Sequence, residues 1–146
     1  MSTEANIAAT RRLIHEGFSL GRLEVCDELV ADDIVEHQRG LRSGRAGTQD
    51  TIRTLHSWFS EFELRIEDLA ATDDTVWIRC AASGVNTGRV FGHAPTGRTM
   101  SIEVFDVLRW RDGRLVEHWG VPDQLGLLVQ LGIFDPRAQP TAAAAS

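Results

Sequence analysis

Apolar residues near the start recur at helical spacing. Ile7, Leu13, Ile14 and Phe18 fall on one stripe, which predicts an amphipathic helix over residues 3–20 stopped at Gly21. A short helix over 23–30 follows, then a turn at Asp32-Asp33 and a short strand over 34–37. Residues 41–47 (LRSGRAG) read as a loop. Thr48 reads as the N-cap of a third helix running through Phe62, with Ile52, Leu55, Trp58, Phe59 and Phe62 as its apolar stripe.

Beyond this point the period falls to two. Strands are predicted over 64–70 and 75–84, joined at Asp73-Asp74. Residues 86–97 carry four glycines or prolines and read as a strand edge and loop. Strands over 99–111 and 114–121 flank Asp112-Gly113, a strong two-residue hairpin signal. A short closing helix is expected over 123–131. Helices followed by an antiparallel meander predict an α+β domain, with helices against one face of a curved sheet. One domain is expected over 1–135, and a frayed Ala- and Pro-rich tail over 136–146.

Carried along the strands, the tight turn pairs Arg111 with Arg114, Trp110 with Leu115, Leu108 with Glu117 and Asp106 with Trp119. Alternation then puts Met100, Ile102, Val104, Asp106, Leu108 and Trp110 on one face, joined by Leu115, Glu117, Trp119 and Val121. Asp106 is flanked by aliphatics and faces a tryptophan. A carboxylate so placed is paired, protonated or used. A salt bridge to an arginine is the structural alternative, and for Glu117 it is a place at the sheet rim. Asp123, after Pro122, suits a helix N-cap. His37 ends a short strand opposite an apolar helix and can titrate near neutral pH. His118 falls on the face opposite Asp106, where a dimer contact is expected. His15, His56 and His93 have no constellation around them.

Composition narrows the chemistry. The chain has 146 residues and a net charge of -6, an unsuitable balance for a nucleic-acid binder. It has no Lys, hence no Schiff base or phosphate-loop lysine, and no Tyr to act as a phenolic donor. Cys26 and Cys80 stand far apart in apolar runs and read as small buried hydrophobes. No metal spacing is evident, so no metal is expected. The amino-terminal residues lack a signal pattern and no apolar run reaches membrane length, so a cytoplasmic protein is expected.

The segment 97–132 closely resembles the SnoaL-like polyketide cyclases. Its markers are Gly97-Arg98, the run from Glu103 through Asp106 and Arg109 to Asp112-Gly113, then Glu117-His118-Trp119, and the ending Pro122-Asp123…Gly126…Gln130-Leu131-Gly132. That family shares a cone-shaped α+β fold with ketosteroid isomerase and nuclear transport factor two. The resemblance implies an internal pocket and gives Asp123 the acid/base role of the family's Pro-Asp ending. It sets Asp106 where the cyclases tend to have a pocket histidine and the isomerase has a protonated aspartate. It likens the 34–37 strand to the isomerase strand ending in its base, so that His37 points into the pocket. The lack of any Tyr argues against steroid isomerisation, and Asp106 in place of a histidine departs from a strict copy of the cyclase mechanism.

The reading is a cofactor-free enzyme that closes a ring by intramolecular aldol chemistry on an apolar, polyketide-like carbonyl compound. Asp123 is expected as base and then acid, Asp106 as a protonated donor to an enolate oxygen, and His37 as a second donor or base. Trp58, Phe59, Trp110 and Trp119 are expected to wall the pocket, with Glu117 beside them. Epoxide opening by Asp106 with His37 or Glu117, and non-catalytic ligand binding, are the alternatives. A homodimer is expected through the outer sheet face, carrying Phe105, Val107, Val116 and Ala81.

Overall fold

In the computed structural model, residues 2–138 are described, so most of the expected tail lies outside the described residues. Ser2 caps α1 (Thr3–Arg12) through a bond from the Ala5 N–H to its hydroxyl. The helix runs directly into a wider π-helical stretch, Leu13–Ser19, that buries Leu13 and Ile14. The predicted 3–20 helix is therefore present, with its last turns unwound. After α2 (Glu24–Leu29) comes β1 (Val30–Glu36), which begins four residues before the expected strand. Asp32 and Asp33 are exposed within this strand rather than forming a turn; they lie in an irregular stretch between Val30 and Val35, the strand being held at its two ends by pairing with β5 (Arg114–Pro122).

α3 (Arg45–Trp58) starts three residues before Thr48. Gly44 sits at φ +88° before it, and a Cβ at Gly47 would lie 2.1 Å from the Arg42 carbonyl oxygen. The predicted helix to Phe62 stops at Trp58. Phe59 opens β2 (Phe59–Thr72), where it pairs with Asn86 of β3 (Thr75–Asn86). The apolar spacing of Phe59 and Phe62 fits either state, and cross-strand pairing decides it. β4 (Thr99–Arg111) matches its expected range, and Asp112 and Gly113 both take positive φ in the hairpin to β5. α4 (Gln124–Gln130) closes the chain.

The sheet order is β1-β5-β4-β3-β2, with neighbours antiparallel except for the parallel β1–β5 pair. Two register shifts in β2, after Ser60 and after Ile66, bend the sheet around its inner face. Inner-face residues such as Ile78, Met100 and Leu108 pack with Leu13, Ile14 and Ile52 from the helices to form the core. The α+β expectation of helices on one face of a curved, unclosed sheet is met. No described helix is long and apolar enough to cross a membrane.

Candidate active site

A cavity of about 510 Å³ opens between the inner sheet face and the helices. Its walls are mostly aliphatic and aromatic, including Leu13, Leu55, Trp58, Phe59 and Ile102. Six ionisable residues line it, Glu36, Arg39, Arg42, Asp50, Asp106 and His118, and of these Glu36, Asp106 and His118 are joined to one another.

A single extra residue in β5 brings them together. Trp110 pairs with Leu115 as the hairpin predicts, but Arg109 pairs with Glu117, so Val116 is a bulge. Every later residue of β5 thereby changes face. Leu108 pairs with His118, Val107 with Trp119 and Asp106 with Gly120. His118 enters the cavity, while Glu117 and Trp119 leave it. On β1, Glu36 lies beside His118 in the parallel pair and shares a face with the buried Ile34.

The His118 Nδ1 lies 2.9 Å from both Glu36 carboxylate oxygens, and its Nε2 lies 3.1 Å from Asp106 Oδ1. Burial alone would lower the His118 pKa. The hydrogen bonds that the ring donates to Asp106 and Glu36, and their charges, outweigh burial and push it up to about 9. At neutral pH the ring is an imidazolium donating from both nitrogens to two carboxylates. Asp106 is thus paired, but with a histidine rather than an arginine. Gly120 makes room for this arrangement. A Cβ there would lie 2.7 Å from Asp106 Oδ1, 2.9 Å from His118 Cε1 and 2.2 Å from Gln38 Oε1.

The other expected site residues are elsewhere. His37 does not point into the cavity, since alternation along β1 sends Glu36 inward and His37 outward. On the outer face His37 stacks on Trp119, with ring centroids 4.6 Å apart, and its Nε2 lies 2.8 Å from Glu117 Oε1. Arg109 Nη1 donates to the other Glu117 oxygen at 2.6 Å. Glu117 and Trp119 therefore belong to this outer cluster and not to the pocket wall. Trp110 is buried in the core and does not line the cavity, whereas Trp58 and Phe59 do. Asp123 is exposed and caps α4, its Oδ1 accepting from the Gly126 N–H at 2.9 Å, and it is not among the cavity-lining residues. Cys26 and Cys80 are buried as expected, and desolvation pushes their thiols up to about 11 and about 12.

Glu36 and His118 are the cavity residues that the hairpin register misses. The adjacent apolar pair Leu115-Val116 is the local break in alternation that marks the bulge, and Ile34 sets the parity that carries Glu36 inward.

Known proteins agree with this architecture. The model of the SnoaL-like polyketide cyclases matches residues 8–131. The chain is 37% identical over 131 residues to the aklanonic acid methyl ester cyclase AcmA of Streptomyces galilaeus, spanning 86% of this chain and 90% of that one. It is 29% identical over 120 residues to the nogalonic acid methyl ester cyclase of Streptomyces nogalater, spanning 79% and 89%. The crystal structure of wild-type IdmH from Streptomyces antibioticus aligns with a TM-score of 0.78 at 31% identity, over 87% of this chain and 98% of that one. With a matched region that takes in both β1 and the bulged hairpin, the chain belongs to the SnoaL-like polyketide cyclase family.

Proposed function

We propose that this protein is a cytoplasmic, cofactor-independent polyketide cyclase that closes a ring by intramolecular aldol addition, and that Asp106 and His118 carry the proton transfers. The observation that carries the reading is the Glu36–His118–Asp106 chain on the wall of a mostly apolar cavity. Aldol closure moves one proton from carbon to oxygen and leaves the substrate's composition unchanged. Asp106 takes the proton alpha to a carbonyl. The resulting enolate attacks the second carbonyl, and His118 Nε2–H protonates the alkoxide as the carbon–carbon bond forms. Asp106 then returns its proton to His118, restoring both groups. Glu36 holds the ring by Nδ1 and balances its charge, as the second carboxylate partner of a catalytic imidazole. An imidazolium with a pKa of about 9 is a weak acid in the resting site but a competent donor to an alkoxide. The apolar walls fold the flexible chain into a reactive pose, which can supply much of the rate.

Two features favour this reading over its rivals. An epoxide-opening site would keep a water between two acidic groups, whereas His118 bridges Glu36 and Asp106. A passive binding sleeve would have no need to hold a charged triad against an apolar cavity, where burial disfavours it. We further propose that copies of the chain pair through the outer sheet face, where Trp77, Phe105 and Val121 are exposed.

The test is turnover of aklanonic acid methyl ester, followed by chromatography of the cyclised product. Asp106→Asn and His118→Gln should each lower kcat by roughly 10² to 10⁴, the usual cost of losing a general acid or base. Activity within a fewfold of the parent in both variants, with wild type active, would remove the proposed roles.

A further inference from the structure

The segment between β3 and β4 is anchored at its root and strained at its tip. Asn86, almost fully buried, donates from Nδ2 to the carbonyls of Trp58 and Gly88, and its Oδ1 accepts from the Thr96 N–H and hydroxyl. The Thr87 and Gly88 N–H groups both donate to the Trp58 carbonyl. Gly88 is seated so close to α3 that a Cβ would lie 1.8 Å from the Ser57 carbonyl oxygen. This root fixes the segment against the end of α3 and the wall of the cavity.

From it rises a two-residue turn. Val90 bridges to His93, and Phe91 and Gly92 sit between them at φ +48° and +82°. Both central residues at positive φ is the type I′ pattern, which favours Asn, Asp or Gly at its first position. A phenylalanine is out of place there, since its Cβ crowds the left-handed backbone. Phe91 is also 51% exposed, so little burial offsets the strain. Yet the ring lines the cavity and meets the Trp58 ring edge-on, with centroids 5.0 Å apart and planes at 61°. A residue that serves the turn and the core so weakly points to a use at the cavity.

We infer that Phe91 is a specificity-determining residue. With Trp58 it forms an aromatic corner at the cavity that receives the flat, unsaturated part of the substrate and discriminates against saturated or globular apolar compounds of similar size. The inference rests on the cyclase reading for its substrate but not for its test, which reads binding alone. A flat ring laid against the exposed part of Phe91 would cover that surface and add stacked or edge-to-face contact, which is absent for a saturated ligand.

The experiment measures equilibrium binding of two probes by calorimetry: 1,8-dihydroxyanthraquinone, which is planar, and adamantane-1-carboxylate, which is not. Phe91→Asn places a favoured residue in the turn, so its melting temperature should equal or exceed that of the parent. Its Kd for the anthraquinone should rise by about tenfold, the scale of one lost aromatic pair, while its Kd for the adamantane compound stays within twofold. Phe91→Leu keeps apolar bulk without the ring and should also weaken the anthraquinone severalfold. With the cyclase substrate, KM should rise and kcat hold within about twofold, as for a lost contact made equally in ground and transition states. Unchanged anthraquinone binding in Phe91→Asn, or equal losses for both probes, overturns the inference. So does a drop of several degrees in melting temperature, which would make the ring part of the fold. None of these outcomes bears on the proton transfers at Asp106 and His118, which are read from kcat in the Asp106 and His118 variants.

Discussion

The charge held by His118 should make the protein less stable as pH rises, in a window set by its own titration. Free imidazole chemistry gives the unfolded chain a His pKa near 6.5, and the folded site raises it to about 9. Between these values the folded state binds the extra proton, so stability must fall with increasing pH. The contribution is fully present below pH ~6.5 and is gone once pH has risen through about 9. At 1.36 kcal/mol per pKa unit this amounts to about 3 kcal/mol. His118 is only 16% exposed at its side chain, so solvent screening takes away little. For a domain of this size that is a fall of about 10 °C in Tm. The chain has neither Lys nor Tyr, but Cys26 and Cys80, whose thiols burial pushes up to about 11 and about 12, add their own loss of stability once pH passes about 9, so the His118 effect is read below that. The groups facing His118 are Glu36 from β1 and Asp106 from β4. Glu36→Gln keeps the shape and removes one charge, so its folded His118 pKa should fall toward 6.5, and its stability should stop falling at a lower pH and lose less in total than the parent's. Thermal unfolding by circular dichroism from pH 6 to pH 9.5, on both proteins, gives the two curves. Superimposable curves would refute the claim that Glu36 holds the imidazolium, and a flat curve for the parent would refute the raised pKa itself.

Three further outcomes follow from the geometry. Gly120→Ala should disrupt the triad: Gln38 can swing away from the new methyl, but Asp106 and His118 are held on both sides, and overpacking of this kind costs about 1–3 kcal/mol. Its turnover should fall at least tenfold, and turnover equal to the parent's would show that the Asp106–His118 contact is dispensable. Asp123→Asn should leave both Tm and turnover within a fewfold of the parent, because Asn caps a helix as well as Asp, while Asp123→Ala should lose about 1 kcal/mol of stability. A loss of two orders of magnitude in Asp123→Asn at unchanged Tm would instead restore the acid/base role that the Pro-Asp resemblance implies. Sedimentation at micromolar concentration should give a dimer that Phe105→Glu dissociates, and a monomeric parent would count against pairing through the outer face.

The parts of this molecule that depend on local pattern were legible in the sequence, and the part that makes the site was not. The β4 strand, the Asp112-Gly113 turn and the greasy face around Asp106 follow from alternation and turn chemistry, and the structure keeps all three. What alternation cannot carry across is a bulge. One extra residue at Val116 reverses the parity of everything after it, so Glu117 and Trp119 exchange faces with His118 and Gly120. A second hidden fact is non-local. Nothing in residues 30–37 indicates that this strand pairs in parallel with β5, eighty residues onward, and so the neighbour of His118 could not be named. Both gaps bear on the same three side chains, and the connection is physical. An imidazolium between two carboxylates inside an apolar cavity is unfavourable unless geometry is held tightly. The bulge directs His118 inward, the parallel edge strand brings Glu36 beside it, and the missing Cβ of Gly120 lets Asp106 close the other side. Regular hairpin geometry would have put Glu117 in the cavity with Asp106, two like charges without the cation between them. The irregularity that defeats the sequence reading is therefore the same feature that makes an acid/base pair out of residues that would otherwise repel.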